Sequence, residues 1–273
     1  MIKGFLLIII LCLLGFVFLI QVKEDTAKPT DINFRDNKFI AHAGGGIMDI
    51  NYTNSKESVI QSITNGFKFI ELDLLETSDN SIVAVHDWKT FKENCLNFKG
   101  KIDNNPLTYQ QFNDCNYQKK LINFSKLDEY EINKIFYNNK KLFLVTDKIK
   151  NYKLLSKKFN FIDRIIPETF SLFDFVVAKY YGFKYPIFPY KKYNYLIGKI
   201  FQIKLMNVSY SDFLKNKKKI TKLYKNGIHI YVYTSNDVKF IEKYINKNIT
   251  GVYTDFWDFN FNKCLSVYNC NSY

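Results

Sequence analysis

Arginine is almost missing from this chain. Arg35 and Arg164 are the only two among 39 basic residues, although the formal net charge is +13. Arginine reads phosphates and base edges through a planar fork, so an excess made of lysine argues against nucleic-acid recognition. The run Lys215, Lys217, Lys218 and Lys219 reads as a solvated helix face, with attraction to an anionic membrane surface as its other use. No C-x-x-C pair occurs, which removes the common zinc motifs. No glycine-rich turn opens directly into a helix: Gly44–Gly46 is followed by Ile47–Tyr52, which counts against a doubly wound dinucleotide-binding sheet. Histidine is scarce as well, with three in 273 residues, so the place of each one carries information.

Apolar content, by contrast, is high at 47%, enough for a substantial core. An uninterrupted apolar run, Phe5–Ile20, is flanked by Lys3 and Lys23, and no small-residue cleavage site follows it. Residues 1–22 are therefore expected to form an uncleaved signal anchor, with a cleaved signal peptide as the alternative and the rest of the chain outside the cytoplasm. Residues 23–37 read as a polar linker, and residues 38–273 as the folded part. Four cysteines lie outside the anchor in two local pairs, Cys95 with Cys115 and Cys264 with Cys270; these pairings, among the three that four cysteines allow, suit an oxidising compartment.

From Lys38 onward, eight apolar strand-like runs alternate with amphipathic stretches: KFIAHAGG, FKFIELDLL, KLFLVTDK, RIIPETF, YPIFPY, FQIKLMNVS, IHIYVYTS and ITGVYTDF. Helical patterns fall at Ser55–Asn65, Leu127–Tyr137, Ser171–Tyr181, Ser211–Lys225 and Asp237–Asn246. Parallel strands need crossovers, and eight strands with intervening helices point to an α/β fold, a TIM (β/α)8 barrel. A polar insertion, residues 89–125, interrupts the alternation after the second strand region, where barrels place substrate lids.

The stretch FIELDLLETSDNSIVAVHDW carries the chemistry. Side chains alternate along a strand, so Ile70, Leu72 and Leu74 share one face, and Glu71 and Asp73 the other. Two carboxylates on one buried face repel and lose hydration unless a cation sits between them, and oxygen ligands favour a hard divalent ion, Mg²⁺ or Ca²⁺. His42 and His86 each end an apolar run and would project at the same mouth, where two imidazoles suit proton transfer in phosphoryl chemistry. His229, inside GIHIYVYTS, reads as a packing residue.

The segments HAGG (His42–Gly45) and NSKESVIQSITNGFKFIELDLLETSDNSIVAVHD (Asn54–Asp87) resemble the core of the glycerophosphodiester phosphodiesterase family. That family's pattern runs His-Arg-Gly, Pro-Glu-Asn-Thr, a helix, Gly, Glu-x-Asp-x-x-x-Thr-x-Asp and His-Asp. Glu57, Gly66, Glu71, Asp73, Thr77, Asp79, His86 and Asp87 match it in register. The resemblance implies a TIM barrel hydrolysing glycerol-linked phosphodiesters with one divalent cation. Glu71, Asp73 and Asp147 would hold the metal, His42 and His86 would act as acid and base, and Lys148, Glu57 and Tyr233 would meet the substrate.

The chain departs from that pattern in three places. Ala43 stands where the family has arginine, Lys56-Glu57-Ser58-Val59 replaces Pro-Glu-Asn-Thr, and Asp147 replaces a glutamate. Without the arginine another cation must neutralise the phosphate, either Lys148 or a lysine of the insertion. The partners expected are a small phosphodiester, a lipid headgroup or a surface glycopolymer, with membrane contact through the N-terminal segment. Two alternatives stay open: a barrel that binds phosphorylated glycan or lipid without turnover, and a lyase or transferase forming a cyclic phosphate.

Overall fold

The computed structural model describes residues 32–259, 262–266 and 269–270. The anchor expected over residues 1–22, and most of the linker, lie outside the described residues. Among the described residues, no helix is long and apolar enough to cross a membrane.

Eight parallel strands form the sheet: β1 (Phe39–Ala41), β2 (Phe69–Glu76), β3 (Phe143–Asp147), β4 (Ile165–Pro167), β5 (Phe188–Pro189), β6 (Leu205–Ser209), β7 (His229–Tyr233) and β8 (Gly251–Thr254). Each falls on one of the eight apolar runs, β2 extending one residue past its run to Glu76. Their hydrogen-bonded order is β4-β3-β2-β1-β8-β7-β6-β5. A parallel bridge between Glu168 and Ile187 joins the outermost pair, with Thr169 N donating to Ile187 O at 2.9 Å, so the curled sheet closes on itself.

The helices are α1 (Lys56–Thr64), α2 (Trp88–Glu93), α3 (Tyr109–Asp114), α4 (Glu129–Asn138), α5 (Tyr152–Lys158), α6 (Leu172–Tyr180), α7 (Tyr195–Ile200), α8 (Tyr210–Lys225) and α9 (Val238–Tyr244). The five helices expected from periodicity are α1, α4, α6, α8 and α9. Each begins at a side chain that accepts from a backbone N–H of its first turn: Ser55, Asp128, Ser171, Ser209 and Asp237. The remaining four span six or seven residues and fall in stretches where no helical pattern was expected.

Alternation along the strands separates two cores. Ile70, Leu72 and Leu74 pack outward with the helices in the large cluster that also holds Val59, Ile132 and Phe213. Ile40, Phe69, Val145, Ile166, Leu205, Tyr231 and Tyr253 fill the barrel interior. Phe34, from the stretch read as linker, lies beneath this layer with its ring centroid 5.9 Å from Phe69 and 5.0 Å from His229. His229 is thus a packing residue at the barrel floor. The Tyr231 hydroxyl ties the same segment down by donating to Asn37 O at 2.6 Å.

After β2 the chain turns back, and Ile82–Ala84 pairs antiparallel with its end. This return carries His86 to the mouth, because Val85 N donates to Asp73 O at 2.8 Å. The insertion then forms a small core of its own from Trp88, Phe91, Leu107 and Phe112 with Val83 and Val85. Cys95 is bonded to Cys115 within it, and Cys264 to Cys270 at the tail, the two local pairings expected.

Candidate active site

Two residues along six of the strands from the apolar interior layer, the side chains become polar. Ile40 is followed by His42, Phe69 by Glu71 and Asp73, Val145 by Asp147, Ile166 by Glu168, Leu205 by Asn207, and Tyr253 by Asp255. These residues share the carboxyl end of the barrel because the closed sheet keeps one inward phase on every strand.

Glu71, Asp73 and Asp147 offer carboxylate oxygens that all lie within 4.8 Å of one another. Asp73 and Asp147 are direct partners across the β2–β3 ladder. Each acid on β2 is clamped. Glu71 Oε2 accepts from Ala43 N at 2.7 Å. Asp73 Oδ2 accepts from the Asn54 amide at 2.8 Å, and Asp73 N donates back to Asn54 Oδ1 at 3.0 Å. Asp147 Oδ1 is buried with no hydrogen-bond partner. Lys148 Nζ stands 3.6 Å from Asp73 and 3.5 Å from Asp147, so one ammonium faces three acids. Burial, then the charges of Asp73 and the other acids, push the carboxyls of Glu71 and Asp147 well above the usual range. An all-oxygen donor set, mutual repulsion and an orphaned oxygen fit a hard divalent cation.

Both histidines flank this cluster. Burial would hold down the pKa of His42, but its contact with Asp255, Nδ1 to Oδ1 at 2.9 Å, and that acid's charge more than offset it, so the net shift is upward. Asp255 is oriented by Asn236, whose Oδ1 accepts from Asp255 N at 2.7 Å. His86 Nδ1 lies 2.9 Å from Asp87 Oδ2, and this histidine is more open to solvent. With Nδ1 committed on each ring, Nε2 is the nitrogen left to exchange a proton. The Tyr52 ring stands edge-on between the two, its centroid 4.4 Å from His42 and 5.3 Å from His86.

Beside His86 opens a cavity of about 380 Å³, lined in part by Tyr52, Asn54, Phe91, Tyr117 and Lys119. Lys119, from the insertion, donates to Asn51 O at 2.8 Å and Tyr52 O at 3.2 Å. Ala43 is fully buried and leaves no cation at position 43. Lys119 and Lys148 are the ammonium groups beside the cluster, whereas Lys150 points to solvent over the Phe170 ring.

Of the residues expected at the site, His42, His86, Glu71, Asp73, Asp147 and Lys148 converge, and Tyr233 stands at the mouth as the last residue of β7. Glu57 does not join them. It lies in the first turn of α1, where both its oxygens accept from Ser125 N and so pin the end of the insertion. Asn54 fills the inward place instead.

A further acid at the mouth, the half-buried Glu168, belongs to none of the sequence motifs. The Tyr253 hydroxyl donates to it at 2.5 Å, and so does the Asn207 amide. Its signal is the inward phase of β4, since Ile166 is a barrel-interior residue and Glu168 follows by two.

No protein-family model and no curated protein matches the chain. Solved structures do share its fold. A glycerophosphodiester phosphodiesterase from Parabacteroides distasonis superposes with a TM-score of 0.61 at 18% identity, covering 80% of this chain and 92% of that one. One from Thermotoga maritima gives 0.53 at 21% identity, over 80% and 93%. An Oleispira antarctica phosphodiesterase, solved with the product sn-glycerol-3-phosphate, gives 0.62 at 15% identity, over 80% and 92%.

Proposed function

We propose that the chain is a divalent-metal-dependent phosphodiesterase. It would act on glycerophosphodiesters or on a related phosphodiester in a lipid headgroup or surface glycopolymer. The observation that carries this reading is the carboxylate trio, two of its members buried and Asp147 with an orphaned oxygen, between two histidines each paired to an aspartate. Likeness of fold to phosphodiesterases adds to it.

Glu71, Asp73 and Asp147 would hold one Mg²⁺ or Ca²⁺, which supplies charge neutralisation and polarisation of a phosphoryl oxygen. His42, its Nδ1 held by Asp255, takes the proton of the attacking hydroxyl or water at Nε2. His86, lining the cavity that would receive the departing alcohol, returns a proton to the leaving oxygen. Lys119 and Lys148 take the place of the missing arginine and balance the phosphate charge. Asn54 fixes the Asp73 carboxylate, and Tyr52 keeps the two imidazoles apart. Two bonded cysteine pairs support export to an oxidising compartment, with the N-terminal apolar segment as the membrane attachment.

The test is release of glycerol 3-phosphate from glycerophosphodiesters by the full chain, with Mg²⁺ or Ca²⁺ and then with chelator. Turnover is expected to need metal and to fall by about 10²–10⁴-fold in His42→Ala, and to be lost in Glu71→Gln. Turnover indifferent to chelator and to both substitutions overturns the proposal. A cyclic ester product would assign the attack to a substrate hydroxyl, and a free monoester would assign it to water.

A further inference from the structure

The cavity beside His86 differs in charge from the carboxylate cluster next to it. Its walls include Tyr52 from the loop after β1, Phe91 of α2, Tyr117 and Lys119 of the insertion, and Lys126, which directly follows the insertion. Its volume of about 380 Å³ falls within the roughly 300–1,000 Å³ of small-ligand sites.

Two of these side chains are cations. Lys126 donates to Phe112 O and Asn113 O, each at 2.7 Å, and to Cys115 O at 2.5 Å, which fixes its ammonium in the wall. Lys119 gives two of its three donors to Asn51 O and Tyr52 O, so one N–H is left for a guest. The acid among the lining residues is Asp87, and both its oxygens are committed. Asp87 Oδ1 accepts from Thr90 N at 2.7 Å, and Oδ2 lies 2.9 Å from His86 Nδ1.

The rings of the wall are engaged as well. Lys119 Nζ stands 5.9 Å from the Tyr52 ring centroid, and Phe91 stacks on Tyr117 with centroids 5.2 Å apart. A quaternary ammonium is held by open aromatic faces and by carboxylates with lone pairs to offer. In this cavity it would meet one ring already under a cation, another covered by a neighbour, and two like charges. Hydroxyl groups fare differently. Among the described residues, none meets the hydroxyl of Tyr52 or of Tyr117, and with the third N–H of Lys119 these form a set of partners for alcohol groups.

We infer that the cavity selects the departing alcohol by charge and hydroxyl content: it takes an uncharged polyol or sugar and turns away headgroups that carry an ammonium. The inference rests on the phosphodiesterase reading, which places the departing alcohol here, and it names the substrate class of that site.

Binding separates the two. Inositol 1-phosphate and phosphocholine each carry one alcohol and no diester bond to cut, and both are titrated calorimetrically into the full chain in Mg²⁺. Inositol 1-phosphate should bind at least about tenfold more tightly. Lys119→Gln should narrow that ratio, and Tyr117→Phe should weaken inositol 1-phosphate while leaving phosphocholine unchanged. Equal affinities, tighter binding of phosphocholine, or binding of neither compound overturns the inference, and so does a ratio that neither substitution moves. The expected ratio without turnover of glycerophosphoinositol would instead overturn the phosphodiesterase reading and leave the selectivity of the cavity standing.

Discussion

The floor and the mouth of the barrel are built by the same strands, yet one is a core and the other a reactive cluster. Phe69 and Glu71 are two residues apart on β2, and Ile166 and Glu168 are two apart on β4. At the floor, nine buried residues pack on one another, and the two tyrosine hydroxyls among them are met by Asn37 O and Glu168. At the mouth, each buried or half-buried acid requires a clamp: a backbone amide for Glu71, Asn54 for Asp73, Tyr253 and Asn207 for Glu168. Among the described residues, Asp147 Oδ1 is the buried carboxylate oxygen that goes without. The difference teaches that the fold's stability is made at one end and consumed at the other, and a cation is what would bring the second end into balance.

The largest expected effect tests the floor. Phe69→Ala removes a fully buried ring and should cost about 3–5 kcal/mol in urea unfolding, with no rescue by divalent ions. A cost under about 1 kcal/mol would mean that the floor does not bear the fold. The mouth should respond in the opposite direction. Asp147→Asn removes a repelling charge from the cluster, so the metal-free chain should gain stability in urea unfolding, and the rise in Tm caused by Mg²⁺ or Ca²⁺ should disappear. Destabilisation by Asp147→Asn in the absence of metal would break the comparison.

Acidity offers the smallest and most graded test. Glu71 and Asp147 have folded pKa values above their unfolded ones, so the native state holds protons that the unfolded state has released, and stability falls as pH rises from about 4.5. His42 acts with the same sign: its raised pKa stabilises fully below about 6.5, and that contribution is lost as pH passes the folded value. Thermal melts of metal-free protein should therefore give a higher Tm at pH 5.5 than at pH 8. Saturating divalent ion should narrow the gap by favouring the ionised carboxylates, and a gap unchanged by metal would remove the acids from the cause.

The strands, the inward phase of Glu71 and Asp73, and the two strand-end histidines were legible because each is a local property of a short stretch. Period two places the acids, and the end of an apolar run places the imidazole. Glu168, Asp255 and Asn54 were not legible for a different reason. Asp255 becomes the partner of His42 only when β8 closes beside β1, 213 residues apart in sequence. Asn54 matters only because the loop after β1 folds down on Asp73. Lys119 was hidden by abundance, since nothing local distinguishes it from the lysines that coat the surface.

The insertion carries its own disulfide, its own apolar cluster, and a buttress in Lys126, whose ammonium binds three carbonyls at the end of α3. It enters and leaves beside one another, at the return strand Ile82–Ala84 and at Leu127, whose carbonyl accepts from Ala84 N. A segment so self-contained behaves as an exchangeable cassette: grafting it onto another barrel of this kind should transfer the wall of the cavity, with Tyr117 and Lys119, without recutting the catalytic floor beneath. Under the proposed function, substrate choice and bond-breaking chemistry would in this way drift at separate rates along one polypeptide.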